Sequence, residues 1–420
     1  MIARQLVGRG PDVWTIFAVG AVACLAAEVL TPANAAGAIV AGGPVLLFLA
    51  ALFVFAGALE RSGALDHLAE WMLRRAVHPE SLPAYVFVGF GIAAAVVVND
   101  ALILIAIPIL YGIGRRLRID PKPLLLTAAF AVTVGSTLTP MGNPQNLLIS
   151  VASGLRTPVV TFLLYLSLPV AVSLATGAWY VRRAFGPAFS PARATHAQIR
   201  RTALPLWPRG GWSARLRRAP VLAIFPATMA LLFALDLGSS LLGTPDVAVW
   251  IPIAAGALLL LAVSPGRGPI ARAVDLRILA LFAGLFVVVA ATVSAGVIGA
   301  LESFLPIAGP SQPASGVLGI VGTSLVGSQL FSNVPWVGLQ IPILASAGYG
   351  GGTPIAWLAL AAGSTLAGNI TLLGAASNLI LVERAERLGI SIRLVEFVRY
   401  ALPLAAISIG VTVVALLVGL

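Results

Sequence analysis

Five residues, Val97-Val98-Asn99-Asp100-Ala101, constrain this chain more than any others. They place a polar dipeptide between two apolar arms, 83–98 and 101–114. Without the dipeptide, residues 83–114 read as one long membrane helix; with it, they read as two half-helices meeting at a tip. At 1.5 Å per residue each arm reaches about 20–25 Å, short of the roughly 30 Å hydrocarbon core. A carboxylate near mid-bilayer costs about 2.5–3.5 kcal/mol even on the lenient insertion scale. Asp100 therefore needs a partner or a task.

The bulk numbers agree with a bilayer setting. Mean hydropathy is +1.00, 59% of residues are hydrophobic and 10% are charged, which places the chain among polytopic membrane proteins. The net charge of +11 raises a nucleic-acid reading. The basic residues, however, are scattered over short loops between apolar spans, so no nucleic-acid partner is expected and the lipid bilayer is. Cys24 is alone, within the first span, and offers no disulfide or metal site. The first apolar stretch lacks a small-residue cleavage site and reads as a retained helix.

In chain order, spans are expected at 13–30 and 37–59. Residues 64–77 follow as a helix lying in the interface, with Arg74 and Arg75 toward the headgroups. The hairpin 83–114 closes on Arg115, Arg116, Arg118 and Lys122. A helix over 123–155 breaks at Ser136-Thr137-Leu138-Thr139-Pro140-Met141-Gly142-Asn143-Pro144-Gln145-Asn146, and a span at 159–180 ends the first half. Residues 187–218 carry seven arginines, four prolines and no acid, the composition of a basic cytoplasmic linker in contact with anionic lipid. Spans are then expected at 219–237, 247–263 and 277–301. A second hairpin, 316–346, breaks at Ser332-Asn333-Val334-Pro335. A second broken helix, 353–388, breaks between Gly368 and Asn378, and a last span covers 394–418.

The halves repeat. Leu52-Phe53-Val54 and Gly63 recur as Leu285-Phe286-Val287 and Gly296, 233 residues on. Asn99 recurs as Asn333, each followed nine residues later by the proline of an Ile-Pro-Ile-Leu run. Thr139, Gly142 and Asn146 recur as Thr371, Gly374 and Asn378 at an offset of 232. The expected domains are thus 1–186 and 219–420, joined by the linker 187–218. If each hairpin enters and leaves on one side, the second half starts on the opposite face and the repeats are inverted, as in secondary transporters. Of the 26 Lys and Arg, one face receives all but Arg156, with Arg399 at the start of the last span. The positive-inside rule makes that face cytoplasmic. The N-terminus is then inside and the C-terminus outside a bacterial cytoplasmic membrane.

Each break puts a helix N-terminus at mid-membrane beside a capping residue: Asp100 for 101–114, Asn333 for 334–346, Asn143 before Pro144, and Ser377 or Gly374 for the fourth. Four such N-termini, each worth about half a positive charge, make an anion site without a buried Arg or Lys. Carbonyls freed at the preceding half-helix ends, with Asn and Thr side chains, suit a hard cation such as Na⁺. Blander readings exist: Asp100 as a plain cap, the 142–146 stretch as a packing kink, Glu28 and Glu60 as solvated interface acids. His67, His78 and His196 do not cluster, so no metal centre is expected. A channel calls for a continuous polar lining and an enzyme for a nucleophile or base constellation; neither pattern is present.

With those motifs in view, the chain resembles the ion transporter superfamily, in particular the citrate-transporter-like branch that includes arsenite permeases and sodium/proton antiporters. Asn99-Asp100-Ala101 before LILIAIP is similar to the hairpin of arsenite permeases, and Ser332-Asn333-Val334 resembles the Ser-Asn-Thr tip of sodium/divalent-anion symporters. Thr139 to Asn146 is similar to the symporters' Thr-Pro-x-Gly-Thr-Pro-Pro-Asn stretch. The resemblance implies an all-α elevator-type transporter, a homodimer. It moves a small anion or oxyanion with Na⁺ or H⁺ as coupling ion and no cofactor. The alternatives are arsenite or antimonite efflux and sodium/proton exchange. It implicates Asn99, Asp100, Thr139, Gly142, Asn143 and Asn146 in one half, with Na⁺ at Asn99, Asp100, Gly142 and Asn146. In the other half it implicates Ser332, Asn333, Thr371, Gly374, Ser377 and Asn378. Val98 and Asp100 stand where the symporters have Ser and Thr, and Val334 replaces the second Thr. Those replacements remove hydroxyls and add a charge, which favours a small ion over a dicarboxylate.

Overall fold

A computed structural model describes residues 13–76, 78–189, 219–305 and 307–419. The side chains of Asp66 and Arg74 also fall outside the description, as do Val77, His196 and nearly all of the expected basic linker. Among the described residues the chain is helical with no strand, and six helices are long and apolar enough to cross a membrane.

The first half opens with α1 (Val13–Ala26), α2 (Pro32–Ala41) and α3 (Gly43–Ser62). The single span expected at 37–59 is therefore broken, at Gly42-Gly43-Pro44. Pro44 lies in the first turn of α3 and has no N–H to continue a ladder from α2. A Cβ on Gly42 would sit 2.1 Å from the Phe286 ring, so glycine there lets the second half's aromatic seat against the break. α3 ends on Gly63 in the left-handed conformation, φ 73°, and α4 (Ala64–Arg75) is amphipathic with Arg75 exposed. Next come α5 (Leu82–Ala94), α6 (Asn99–Leu117), α7 (Lys122–Ser136), α8 (Pro144–Ala152) and α9 (Pro158–Phe185).

The second half runs α10 (Val221–Leu242), α11 (Trp250–Val263), a short α12 (Arg267–Ala271) and α13 (Leu276–Ser294). The span expected at 277–301 ends early, because Gly296 turns the chain at φ 71° into α14 (Val297–Phe304). This is the mate of the Gly63 turn. α15 (Pro313–Phe331), α16 (Asn333–Ser346), α17 (Pro354–Ala367), α18 (Ala376–Arg387) and α19 (Leu394–Val418) then repeat the order of α5 to α9.

The packing repeats as well. α5 lies on α7 as α15 lies on α17, and α9 and α19 pack against each other. α1 packs on α13 and α3 on α11, and α3 and α13 also touch the second hairpin arms, α6 and α16. Gly135 touches Gly91 so closely that a Cβ would fall 1.8 Å from the Gly91 carbonyl oxygen, which brings the α5 and α7 backbones together. The Phe130 and Phe397 rings meet edge to face at 5.1 Å, tying α7 to α19, and Lys122 pairs with Glu396 at 3.2 Å at the ends of the same helices. This packed body holds the helix breaks at its centre.

Candidate functional site

The two tips and the two breaks converge on one buried polar region. The second arm of each hairpin lies on the broken helix of the other half: α6 on α18, and α16 on α8. α17 packs against both α7 and α8.

The first tip is tied to the first break. The Asn99 N–H donates to the Gly142 carbonyl at 2.9 Å, and the Thr139 hydroxyl donates to the Ala95 carbonyl. The Asn99 Oδ1 in turn accepts the Asp100 N–H at 2.9 Å. Gly142 has to be glycine, since a Cβ would lie 2.2 Å from the Ser136 carbonyl oxygen. Asn143 caps α8 as expected: its Oδ1 accepts the Asn146 N–H at 2.8 Å, with Pro144 in the first turn. The Asn146 Nδ2 donates to the carbonyls of Ser136 (3.1 Å), Thr139 (3.2 Å) and Thr137 (3.4 Å), stapling the two half-helices together.

The second break uses the same staple. The Asn378 Nδ2 donates to the carbonyls of Gly368 at 2.7 Å and Thr371 at 3.3 Å. Subtracting 232 from 368, 371 and 378 gives 136, 139 and 146, so the repeat holds at the level of single hydrogen bonds. The Thr371 hydroxyl donates to the Gln329 Oε1 at 2.7 Å, and the Gln329 Nε2 donates to the Ala367 carbonyl at 2.9 Å. Gln329 thus replaces the backbone carbonyl of its mate, Ala95. A Cβ on Gly374 would lie 2.8 Å from the Ala367 carbonyl oxygen, the same tight bend as at Gly142.

The halves differ in what their polar atoms have left to bond. In the first, Thr365 reaches across from α17: its hydroxyl donates to the Asn146 Oδ1 at 3.1 Å and accepts from the Asn143 Nδ2 at 3.1 Å and the Gln145 Nε2 at 3.3 Å. Thr133, the mate of Thr365, donates instead to its own helix at Ala129. The mates of Asn143 and Gln145 are Ala375 and Ser377, too short to make the bridge. As a result the Asn378 Oδ1, the Ser377 Oγ and the Asn333 Oδ1 are buried without a hydrogen-bond partner. The Asn333 and Asn378 amides meet at Gly368: the Asn333 Nδ2 approaches to 3.2 Å of where a Gly368 Cβ would stand, and the Asn378 Nδ2 bonds the Gly368 carbonyl.

Three expected caps are corrected. Asp100 lies inside the first turn of α6, whose N-cap is Val98. Its carboxylate faces the Ser377 N–H at the start of α18 instead. Asn333 opens α16 behind Ser332, which makes no side-chain cap. α18 is preceded by Ala375, with neither Ser377 nor Gly374 as its cap. The reason is geometric: the cap is whichever residue leaves the extended region last, and here those residues carry no oxygen in reach. Ser332 takes φ 70°, ψ 161°, a backbone region costing about 1–3 kcal/mol outside glycine, so the second tip stores strain.

All twelve expected site residues therefore belong to the tips and breaks. The four proposed for Na⁺ are the better satisfied set: the Asn99 Oδ1, the Gly142 carbonyl and the Asn146 Oδ1 each accept a hydrogen bond. The orphaned polar atoms of the tips and breaks are in the other half, with the Asn369 Oδ1 and the Trp336 Nε1 among them, and their oxygens suit a hard cation or a ligand rich in hydroxyl donors. Thr365, Gln329 and Asn369, whose Nδ2 donates to the Phe130 carbonyl at 3.1 Å, were not singled out by the sequence. Their only mark there is being polar inside an apolar arm. Among the described residues no group of three or more His, Cys, Asp and Glu is placed to hold a metal ion.

Comparison with known proteins adds independent findings. The CitMHS citrate transporter family model matches residues 9–367. An uncharacterized transporter of Mycobacterium tuberculosis H37Rv is 28% identical over 379 residues, covering 89% of this chain and 85% of its own. The silicon efflux transporter LSI3 of Oryza sativa subsp. japonica is 28% identical over 395 residues, covering 82% and 79%. Among solved structures, the YdaH transporter of Alcanivorax borkumensis superposes with a TM-score of 0.61 at 15% identity, over 97% of this chain and 98% of that one. That likeness is one of fold.

Proposed function

The chain belongs to the citrate transporter family, and from that premise we propose that it is a secondary active transporter of a small anion or oxyanion, driven by Na⁺ or H⁺. The observation that carries the reading is the pair of Asn-stapled breaks at one offset, one closed on itself and one leaving the side-chain oxygens of Asn369, Ser377 and Asn378, with that of Asn333 at the facing tip, without partners. A helix break costs backbone hydrogen bonds, and two of them facing each other are worth that cost where an ion is bound. The N-termini of α8 and α18 supply partial positive charge for an anion, and the orphaned oxygens of Asn333, Ser377 and Asn378 supply ligands for Na⁺.

Transport follows from moving this centre. α5–α9 and α15–α19 form the moving body, and α1–α3 with α10–α13 form the scaffold, in an elevator motion within a homodimer. The repeats are inverted, 1–186 against 219–420. The hairpin α5–α6 opens to the cytoplasm and α15–α16 to the outside, with the N-terminus in, the C-terminus out and the basic 187–218 linker cytoplasmic.

A second reading rests on the same oxygens. Acceptors without donors also fit an uncharged, hydroxyl-bearing metalloid acid, and one relative is named a silicon efflux transporter. Proteoliposome flux decides between them, with citrate, phosphate, arsenite and silicic acid offered under separately imposed Na⁺ and pH gradients. Gradient-driven uptake of an anionic probe, reduced at least tenfold by Asn378→Ala, is the expected result. Flux of silicic acid or arsenite alone selects the second reading, and gradient-independent flux of every probe removes secondary transport altogether.

A further inference from the structure

Beside Asp100 lies a cavity of about 170 Å³ between α3, α6, α18 and the segment leading into α13. Its walls are mostly apolar, yet three carboxylates open onto it: Glu60 at the end of α3, Asp275 at the start of α13, and Asp100 on α6. No Lys or Arg lines it, in a chain of net charge +11. Asp100 is only 7% exposed and forms no ion pair among the described residues. Asp275 spends one oxygen, Oδ1, on the N–H groups of Arg277 and Ile278, at 2.9 and 3.4 Å, and lies within electrostatic reach of Asp100.

Stability alone argues against this arrangement. A buried carboxylate is costly, and a second one nearby adds repulsion. Three acids on one low-dielectric cavity focus a negative potential into it, which concentrates small cations. A second feature points to a ligand at the inner end: the Asp100 side chain, more than nine-tenths buried, lines the cavity with no cationic partner among the described residues, and faces the Ser377 N–H at the start of α18.

We propose that this cavity is a cation vestibule: Glu60 and Asp275 draw a sodium-sized hard cation in from the end of α3, and Asp100 receives it. The three carboxylates are not placed to share one bare ion. The cation therefore enters partly hydrated and exchanges water for protein oxygen only at Asp100. Glu60 and Asp275 are positioning residues, acting through the field, and they stand on the scaffold side while Asp100 and Ser377 stand on the moving side. A cation in the vestibule neutralises the contact between the two bodies. Naming it the coupling ion rests on the transporter reading; the vestibule itself does not.

The test uses the purified full chain with the native thiol removed by Cys24→Ala and one introduced by Leu104→Cys, a position lining the cavity and 36% exposed. Its reaction rates with a trimethylammonium-ethyl and a sulfonatoethyl methanethiosulfonate are compared with those of a free thiol. The expected cationic-to-anionic ratio exceeds the free-thiol ratio by about tenfold or more. It falls at least threefold in Glu60→Gln and in Asp275→Asn, the latter keeping a capping oxygen for α13. Na⁺ should slow the cationic reagent relative to N-methylglucamine at equal ionic strength. A free-thiol ratio, or one unmoved by both charge removals, overturns the proposal; Ile278→Cys on the facing wall gives the same readout if Leu104→Cys does not fold. Because no transport is measured, failure here leaves the transporter reading standing, and absent flux leaves the vestibule standing.

Discussion

Replacing the two stapling asparagines by alanine should have unequal consequences, although they occupy equivalent positions. Asn146→Ala removes donations to three carbonyls at 3.1, 3.2 and 3.4 Å and the acceptance from Thr365 at 3.1 Å. With each buried hydrogen bond worth about 0.5–1.5 kcal/mol net, and more where a partner is stranded, the loss is about 3–5 kcal/mol. Asn378→Ala removes one short donation at 2.7 Å and one longer at 3.3 Å, and it also deletes the Oδ1 that has no partner. Relief of that desolvation penalty offsets part of the loss, leaving about 1–2 kcal/mol. Thermal unfolding in one detergent should therefore rank wild type, Asn378→Ala and Asn146→Ala in falling order of stability. Flux should rank differently: Asn378→Ala inserts and folds yet loses at least tenfold. Equal destabilisation by the two substitutions, or wild-type flux in Asn378→Ala, would refute the division into a closed joint and an open one.

Other expectations are narrower. Gly42→Ala drives a Cβ to 2.1 Å from the Phe286 ring and should cost about 1–3 kcal/mol in thermal unfolding, a loss that Phe286→Ala in the same chain relieves. Gly135→Ala presses on the Gly91 carbonyl at 1.8 Å, backbone against backbone, so monodisperse protein should be lost on size exclusion with no rescue by trimming a side chain. The Ser239 hydroxyl in the last turn of α10, and after it the Arg156 guanidinium at 3.1 Å, hold the carboxyl of Asp246 in the following loop below its ordinary range. Its stabilising contribution is then full at neutral pH and lost as pH falls through the lowered value, so the unfolding gap between wild type and Asp246→Asn should narrow in acid. Single cysteines in 303–315 should label from outside intact cells, and those in 187–218 only after the cells are opened.

Much of this was legible in the sequence because the breaks are punctuated. Asn143-Pro144 states a cap and a first turn outright, and the recurrence of Asn99, Gly142 and Asn146 fixes the repeat without any structure. The break at Gly42 was hidden, since Ala41-Gly42-Gly43-Pro44 has no polar group and reads as a continuous apolar span. The caps of α6, α16 and α18 were misassigned because polar residues fell one or two positions inside the helix, and register at a helix start is set by backbone dihedrals. Thr365 was invisible as a bridge, for nothing local marks a threonine that bonds residues some 220 positions away. Glu60 reads as a solvated interface acid until the fold brings Asp275 and Asp100 to the same cavity.

The departure from symmetry bears on function more than the symmetry does. Were both breaks only packing joints, each would be expected to satisfy its own polar atoms, as the first does through Asn143, Gln145 and Thr365. The second keeps the staple but has Ala375 and Ser377 where the bridge would be, leaving buried oxygens without partners at a net cost. The same exchange removes the cap of α18, and the carboxylate facing that helix start comes from Asp100 in the other half. On the proposed reading, a cation bound beside Asp100 would weaken the hold of that carboxylate on α18 and free the helix start for an incoming anion. Cation and anion would then assist each other through one side chain, the minimum a coupled transporter requires.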